Sequence, residues 1–293
     1  MNVIEISKLA KFYHRSRGIE EITLDVPEGD IFGFIGPNGA GKSTTIRILL
    51  NLIFPTSGSA TIFGLDVVRD SRKIRSRLGF VPSDANLYDR MTVIEFLQYC
   101  AAFYGAGKEH QRMQYLLEIF DLDPARKIPE LSMGNKKKVS IIQAMIHRPA
   151  LLILDEPTSG LDPLIQSRFF DLQREESRQG TTIFFSSHTL SELQAFCKTV
   201  AIVRNGKIVN VEEIASLRKK QLKKVRIMFP AACSIAGLGL EGVGPVEADH
   251  EKNLAFLYSG ELQELIVKLA QQPFDNLSIE EPALEEIFLH YYK

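Results

Sequence analysis

Apolar positions follow two rhythms along this chain. Short runs rich in β-branched and aromatic residues, Ile31 to Ile35, Leu151 to Leu154 and Thr181 to Phe185, are apolar nearly throughout, as strands covered on both faces require. Longer segments with helical spacing separate them, and the alternation predicts an α/β domain with a largely parallel sheet. Residues 2 to 7, 20 to 26 and 58 to 63 instead alternate apolar with polar, which predicts a small antiparallel sheet with one wet face. From about residue 91 to 147 the strand runs disappear and helical spacing takes over, so this stretch reads as a helical insertion. The segment TVAIVRNGKIVNV from Thr199 reads as strand, Asn205–Gly206 turn and strand, because that pair readily takes the positive φ angles of a type I′ hairpin. A charged helix is expected from Glu212 to Lys224. After it come a Gly-containing stretch, Ala236 to Pro245, and strand, helix, strand and helix candidates up to Lys293. The expected division is a main domain over 1–215 and a small C-terminal α/β domain over 216–293, with no internal repeat and no low-complexity segment.

Composition narrows the function classes. The 293 residues are 45% hydrophobic and 24% charged, enough to bury a substantial core. Thirty-five Lys and Arg against 36 Asp and Glu leave a net charge of -1, so no global field draws the chain to nucleic acid or anionic lipid. Cys100, Cys197 and Cys233 are far apart and form no metal-ligand spacing or disulfide framework, which suits the cytosol. The start, MNVIEISKLAKFYHR, lacks the apolar stretch of a signal peptide, and no run approaches the roughly 18 apolar residues needed to cross a bilayer. Any transmembrane path is expected to come from another polypeptide.

The chemistry begins at Gly36-Pro37-Asn38-Gly39-Ala40-Gly41-Lys42-Ser43, which matches G-x-x-x-x-G-K-[ST] after the strand Ile31 to Ile35 and before a helical segment, Thr44 to Ile53. Glycines let the backbone wrap round phosphates, the N–H groups and helix N-terminus favour negative charge, Lys42 reaches the β/γ oxygens and Ser43 suits Mg²⁺. The apolar strand Leu151 to Leu154 ends in Asp155-Glu156, placing two acids at the sheet's carboxyl edge beside that loop. Asp155 suits a water-mediated Mg²⁺ contact, and Glu156 is positioned to polarise a water for in-line attack on a γ-phosphate. Thr181 to Phe185 leads into Ser186-Ser187-His188 at the same edge, where His188 is a candidate γ-phosphate contact.

These pieces, in this order, resemble the ABC ATPase family over roughly residues 1 to 215. Leu131-Ser132-Met133-Gly134-Asn135 looks like the ABC signature, and Ser159-Gly160-Leu161-Asp162-Pro163 like the family's D-loop. The resemblance implies a P-loop NTPase (RecA-like) core with an antiparallel β subdomain and a helical insertion, binding ATP and Mg²⁺. It also implies pairing with a second ATPase subunit, as a homo- or heterodimer. Ser132, Gly134 and Asn135 of one subunit then meet the nucleotide held by residues 36 to 44, Thr44 included, of the other, and Asp162 sits at the seam. Tyr13 matches the aromatic that stacks on adenine, with Phe12 as the alternative. A separate membrane permease is implied, which would hold the chain on the inner face of the cell membrane. The tail Glu281 to Leu289 resembles that of drug-resistance-type ATPases serving exporters, and its apolar positions equally suit a terminal helix packing on its own domain.

The pattern departs from the family in three places. Met133 and Asn135 replace a glycine and a glutamine of LSGGQ. Lys136 to Lys138 form a charge run expected on a solvated helix face, from which one lysine could reach nucleotide. Ser83 stands in Gly79-Phe80-Val81-Pro82-Ser83-Asp84 where a glutamine contacting Mg²⁺ and water is usual. These departures motivate an alternative reading as a weakly hydrolysing regulatory partner in a heterodimer. A soluble ABC ATPase outside transport is the other alternative, though the paired cassettes or coiled coils of such proteins are missing.

Overall fold

The computed structural model describes residues 1–13, 16–85, 87–88, 90–104, 109–219, 222–230, 240–244, 246–249 and 253–280. The chain divides into two compact units, Met1–Val211 and Glu212–Lys293. Along the first unit the elements are β1 (Asn2–Tyr13), β2 (Ser16–Pro27), β3 (Ile31–Ile35), α1 (Lys42–Leu49), β4 (Ser57–Ile62), β5 (Leu65–Asp66), α2 (Ser71–Arg75), β6 (Leu78–Val81), α3 (Val93–Ala101), α4 (Glu109–Ile119), α5 (Met133–Met145), β7 (Leu151–Asp155), α6 (Pro163–Arg178), β8 (Thr182–Ser187), α7 (Leu190–Phe196), β9 (Thr199–Arg204) and β10 (Lys207–Glu213).

Two sheets organise this unit. The first, in the order β2-β1-β4-β5, is antiparallel, and the burial of β1 alternates over Ile4 to Ser7, as its amphipathic sequence requires. Its strands β1 and β2 run well beyond the expected 2–7 and 20–26, because bulges between Ile6 and Leu9 and beyond let the ladder continue past breaks in the alternation. The second sheet has the order β10-β9-β3-β8-β7-β6, with β9, β3, β8, β7 and β6 mutually parallel. Every residue of β7 and β8 is buried, which is why their sequences lack alternation. Phe32 and Phe184 stack across β3 and β8 at 6.0 Å. Asn205 and Gly206 have φ of 50° and 77°, both positive as a type I′ hairpin needs.

Among the described residues between β6 and β7 the regular elements are helices, with an isolated antiparallel bridge joining Thr92 to Lys127. Helix α3 starts with a capping box in which Thr92 accepts from the Glu95 N–H and Glu95 accepts from the Thr92 N–H. Helix α4 is tied to α6 by a buried ion pair, Arg112 with Glu176.

The second unit begins with a helix at Ile214–Lys219, shorter than the Glu212 to Lys224 expected. Lys223 and Lys224 instead open β11 (Lys223–Met228), because Val225 and Ile227 fit the period-2 burial of a strand. With β12 (Glu247–Asp249), β13 (Asn253–Tyr258) and β14 (Asn276–Glu280) it forms an antiparallel sheet in the order β12-β13-β11-β14. One face buries Val225, Ile227, Leu254, Phe256 and Tyr258 with Leu265 and Leu269 of the helix Leu262–Leu269. The tail resembling drug-resistance ATPases, Glu281 to Leu289, lies outside the described residues. Among the described residues no helix is long and apolar enough to cross a membrane.

Candidate functional site

Four neighbouring strands release their loops at one edge. In the sheet, Ile35 pairs with Ser187, Ser186 with Asp155, and Leu154 with Val81. The loops opening at Gly36, His188, Glu156 and Pro82 therefore leave side by side, in the order β3, β8, β7, β6. Residues far apart in the chain meet because parallel strands put all their carboxyl ends on one edge.

The Gly36–Ser43 loop leads directly into α1, whose first residue is Lys42 rather than the expected Thr44. Its N-cap is Gly41 at φ 105°, no side chain caps it, and no acid occupies its first turn. The positive end of the helix is thus presented without a carboxylate of its own first turn to offset it. A side chain at Gly41 is excluded twice, by that φ and by the Ile19 methyl 2.6 Å from where a Cβ would sit. Lys42 is buried, donates to the carbonyls of Gly36 (2.7 Å) and Pro37 (3.4 Å), and lies 3.6 Å from Glu156 Oε1. Thr45 donates its hydroxyl to Gly41 O and tightens the turn.

Asp155 is buried at the end of β7, where Ser186 Oγ donates to its Oδ1 at 2.9 Å. Glu156 follows in the left-handed region, at φ 48°. That conformation costs a non-glycine residue on the order of 1–2 kcal/mol. The surroundings hold it: Glu156 N donates to Ser186 O at 3.0 Å, and its Oε1 lies 3.1 Å from His188 Nδ1. One carboxylate oxygen is thereby shared by the loop lysine and the edge histidine.

Sequence reasoning missed two supports of this edge. Glu192 on α7 accepts from Thr158 Oγ1 (2.7 Å) and Ser187 Oγ (2.6 Å), clamping the turns after β7 and β8 together. Lys137 is the other, and it corrects the solvated reading of Lys136 to Lys138. Only 3% of Lys137 is exposed, and its Nζ donates to Ser83 O (2.6 Å), Pro82 O (2.9 Å) and Glu156 O (3.3 Å). Burial pushes its pKa down, while the carboxylates of Asp155, Asp84 and Glu156 pull it back up. Ser83 thus enters the site through its backbone carbonyl.

The signature segment forms the start of α5, which begins at Met133. Ser132 is its N-cap, accepting from Asn135 N at 3.3 Å, and Met133 is 75% exposed. A Cβ on Gly134 would lie 2.4 Å from Gly160 O, so the signature turn packs on the Ser159–Asp162 turn of the same chain. Asp162, exposed, caps α6 by accepting from Ile165 N at 3.0 Å, with Pro163 in the first turn. Tyr13 is 39% exposed, and its ring shares the space above Gly18 with the Thr44 methyl; Phe12 is 49% exposed. Ser43 and Thr44 are half-buried at the start of α1, and Asn38 and Gly39 are exposed in the loop.

A family model described as ABC transporter matches residues 19–159. The chain is 37% identical over 227 residues to the bacitracin transport ATP-binding protein BcrA of Bacillus licheniformis, covering 75% of this chain and 73% of that one. It is 29% identical over 304 residues to the linearmycin resistance ATP-binding protein LnrL of Bacillus subtilis, covering 98% and 97%. The solved structure of an ATP-binding subunit of an ABC transporter aligns with a TM-score of 0.70 at 30% identity, over 74% of this chain and 92% of that one.

Proposed function

This chain belongs to the ATP-binding family of ABC transporters and is an ATP-binding, ATP-hydrolysing subunit, and from that premise we propose that it powers export of a drug, lipid or hydrophobic peptide through a separate membrane permease. ATPases of this family work as dimers with a permease. Similarity to proteins named for bacitracin transport and linearmycin resistance supports the export direction. The pairing is with a second copy or a related ATPase subunit, and the chain sits peripherally on the inner membrane face through the permease.

In this reading Gly36 to Thr44 cradle the phosphates, with Lys42 leaving the Gly36 and Pro37 carbonyls for the β/γ oxygens. Tyr13, standing beside Thr44, stacks on the adenine. The Ser43 hydroxyl and the Asp155 carboxylate form an oxygen-only donor set that fits Mg²⁺, a hard dication that keeps waters and phosphate ligands. Ser43 would hold the ion directly, and Asp155 through water; the Ser83 hydroxyl is a further candidate. Bound there, the ion neutralises phosphate charge. Glu156 polarises the attacking water, and His188, whose Nδ1 lies 3.1 Å from Glu156 Oε1, contacts the γ-phosphate. Ser132, Gly134 and Asn135 close on the nucleotide held by the partner subunit, and Asp162 lies at the seam.

The observation that carries the reading is Glu156 Oε1 held between Lys42 Nζ at 3.6 Å and His188 Nδ1 at 3.1 Å. General-base catalysis contributes typically about 10²–10⁴-fold. Glu156→Gln should therefore cut ATP turnover of the purified chain at least a hundredfold while Mg-ATP still binds by calorimetry. Turnover that survives the substitution would refute Glu156 as base, and would favour a regulatory, weakly hydrolysing role if the parent were equally slow.

A further inference from the structure

We propose that Lys137 is a positioning residue for hydrolysis, holding the backbone of Glu156 and the Pro82–Ser83 turn to the same helix whose N-terminus faces the partner's nucleotide. It rests on the reading of Glu156 as base. An ammonium has three N–H donors. Lys137 meets three carbonyls, from two loops remote from its own helix, with Nζ distances of 2.9 Å to Pro82, 2.6 Å to Ser83 and 3.3 Å to Glu156. Donors and acceptors match one for one. A glutamine amide has only two N–H donors and no charge, an arginine spreads five over a rigid plane, and a methionine has none.

The contact matters most at Glu156, whose left-handed φ of 48° persists only if its surroundings over-determine it. Ser186 O holds the N–H of Glu156, and its carbonyl is held by Lys137 at 3.3 Å and by the Ser159 N–H at 3.4 Å, so the residue is pinned at both ends. With the lysine gone the carbonyl keeps only the longer Ser159 contact, and the backbone can relax towards its preferred regions and carry the carboxylate away from Lys42 and His188. Lys137 is one helical turn from Met133, on a helix whose N-cap is Ser132 and whose Gly134 packs on Gly160. A displacement of that N-terminus therefore reaches the Glu156 carbonyl through roughly 6 Å of rigid helix.

Lys137→Met and Lys137→Gln in the full chain test this, with kcat and KM for Mg-ATP, thermal unfolding, and ATP-driven dimerisation by light scattering in a Glu156→Gln background. The expected result is a kcat lowered about ten- to hundredfold for Met and less for Gln. KM should stay within about threefold, and the Glu156→Gln dimer should form with either substitution. Should Met prevent folding, the Gln variant decides by the same criteria. Unchanged kcat in both variants would overturn the proposal, and so would a kcat loss matched by raised KM and loss of the dimer, which marks a merely structural lysine. Turnover retained in Glu156→Gln alone would instead show that the base is misassigned, bringing the proposal down with it.

Discussion

Gly134→Ala sets two opposed effects against each other at the start of α5. Alanine is the better helix former, by roughly 0.5–1 kcal/mol in a helix interior. Its Cβ, however, would sit 2.4 Å from Gly160 O, about 1 Å inside ordinary van der Waals contact. The obstacle is backbone. Gly160 is at φ 79°, in a turn where Ser159 N donates to Glu156 O and Leu161 N to Thr158 O, so its carbonyl moves only if the turn beginning at Glu156 moves. Overpacking of this kind costs about 1–3 kcal/mol, so the clash outweighs the propensity gain by up to about 2.5 kcal/mol. For a unit the size of Met1–Val211 that lowers Tm by roughly 2–4 °C per kcal/mol. Turnover should suffer more, because a shift of about 1 Å in the turn that follows Glu156, the proposed base, can cost on the order of a hundredfold. Scanning calorimetry and steady-state turnover at saturating Mg-ATP read the two effects on one preparation. A Gly134→Ala protein that is as stable as the parent or more so, and that turns over ATP at the parental rate, would refute the packing argument.

Two other sites test the helical segment. Arg112→Met leaves the Glu176 carboxylate buried without its partner and should destabilise by about 3–5 kcal/mol in denaturant unfolding, whereas pairing it with Glu176→Leu should recover most of the loss; equal stability of single and double variants would contradict this. Desolvation lowers the pKa of His147 to about 4, against a smaller opposing effect of its hydrogen bond to Leu78 O, while its ring stacks on Tyr104 at 3.6 Å. Between about pH 6.5 and 4 the unfolded chain binds the proton that the folded chain refuses, so His147 removes stability as pH falls through that window. His147→Gln should flatten this part of the stability profile, and an NMR titration of His147 with a midpoint near 6.5 would show the reasoning to be wrong.

What the sequence by itself determined is the chemistry carried by contiguous motifs. The Gly36–Ser43 loop between strand and helix, the acids ending β7, the histidine after β8 and the Asn205–Gly206 hairpin all depend on neighbours along the chain, so spacing and residue type suffice to read them. The tertiary structure alone decided how those motifs are held. Lys137 reaches carbonyls 54 and 19 residues away, Glu192 bridges Thr158 and Ser187, and Gly134 owes its place to the carbonyl of Gly160. The physical reason is that most of these partners are backbone atoms. Every residue carries a carbonyl, so a lysine that will be saturated in the interior looks, in one dimension, the same as its two neighbours on a charged helix. Only folding determines which of the three turns inward, and there the cost of burying its charge is offset by three oxygens that no side-chain pattern records.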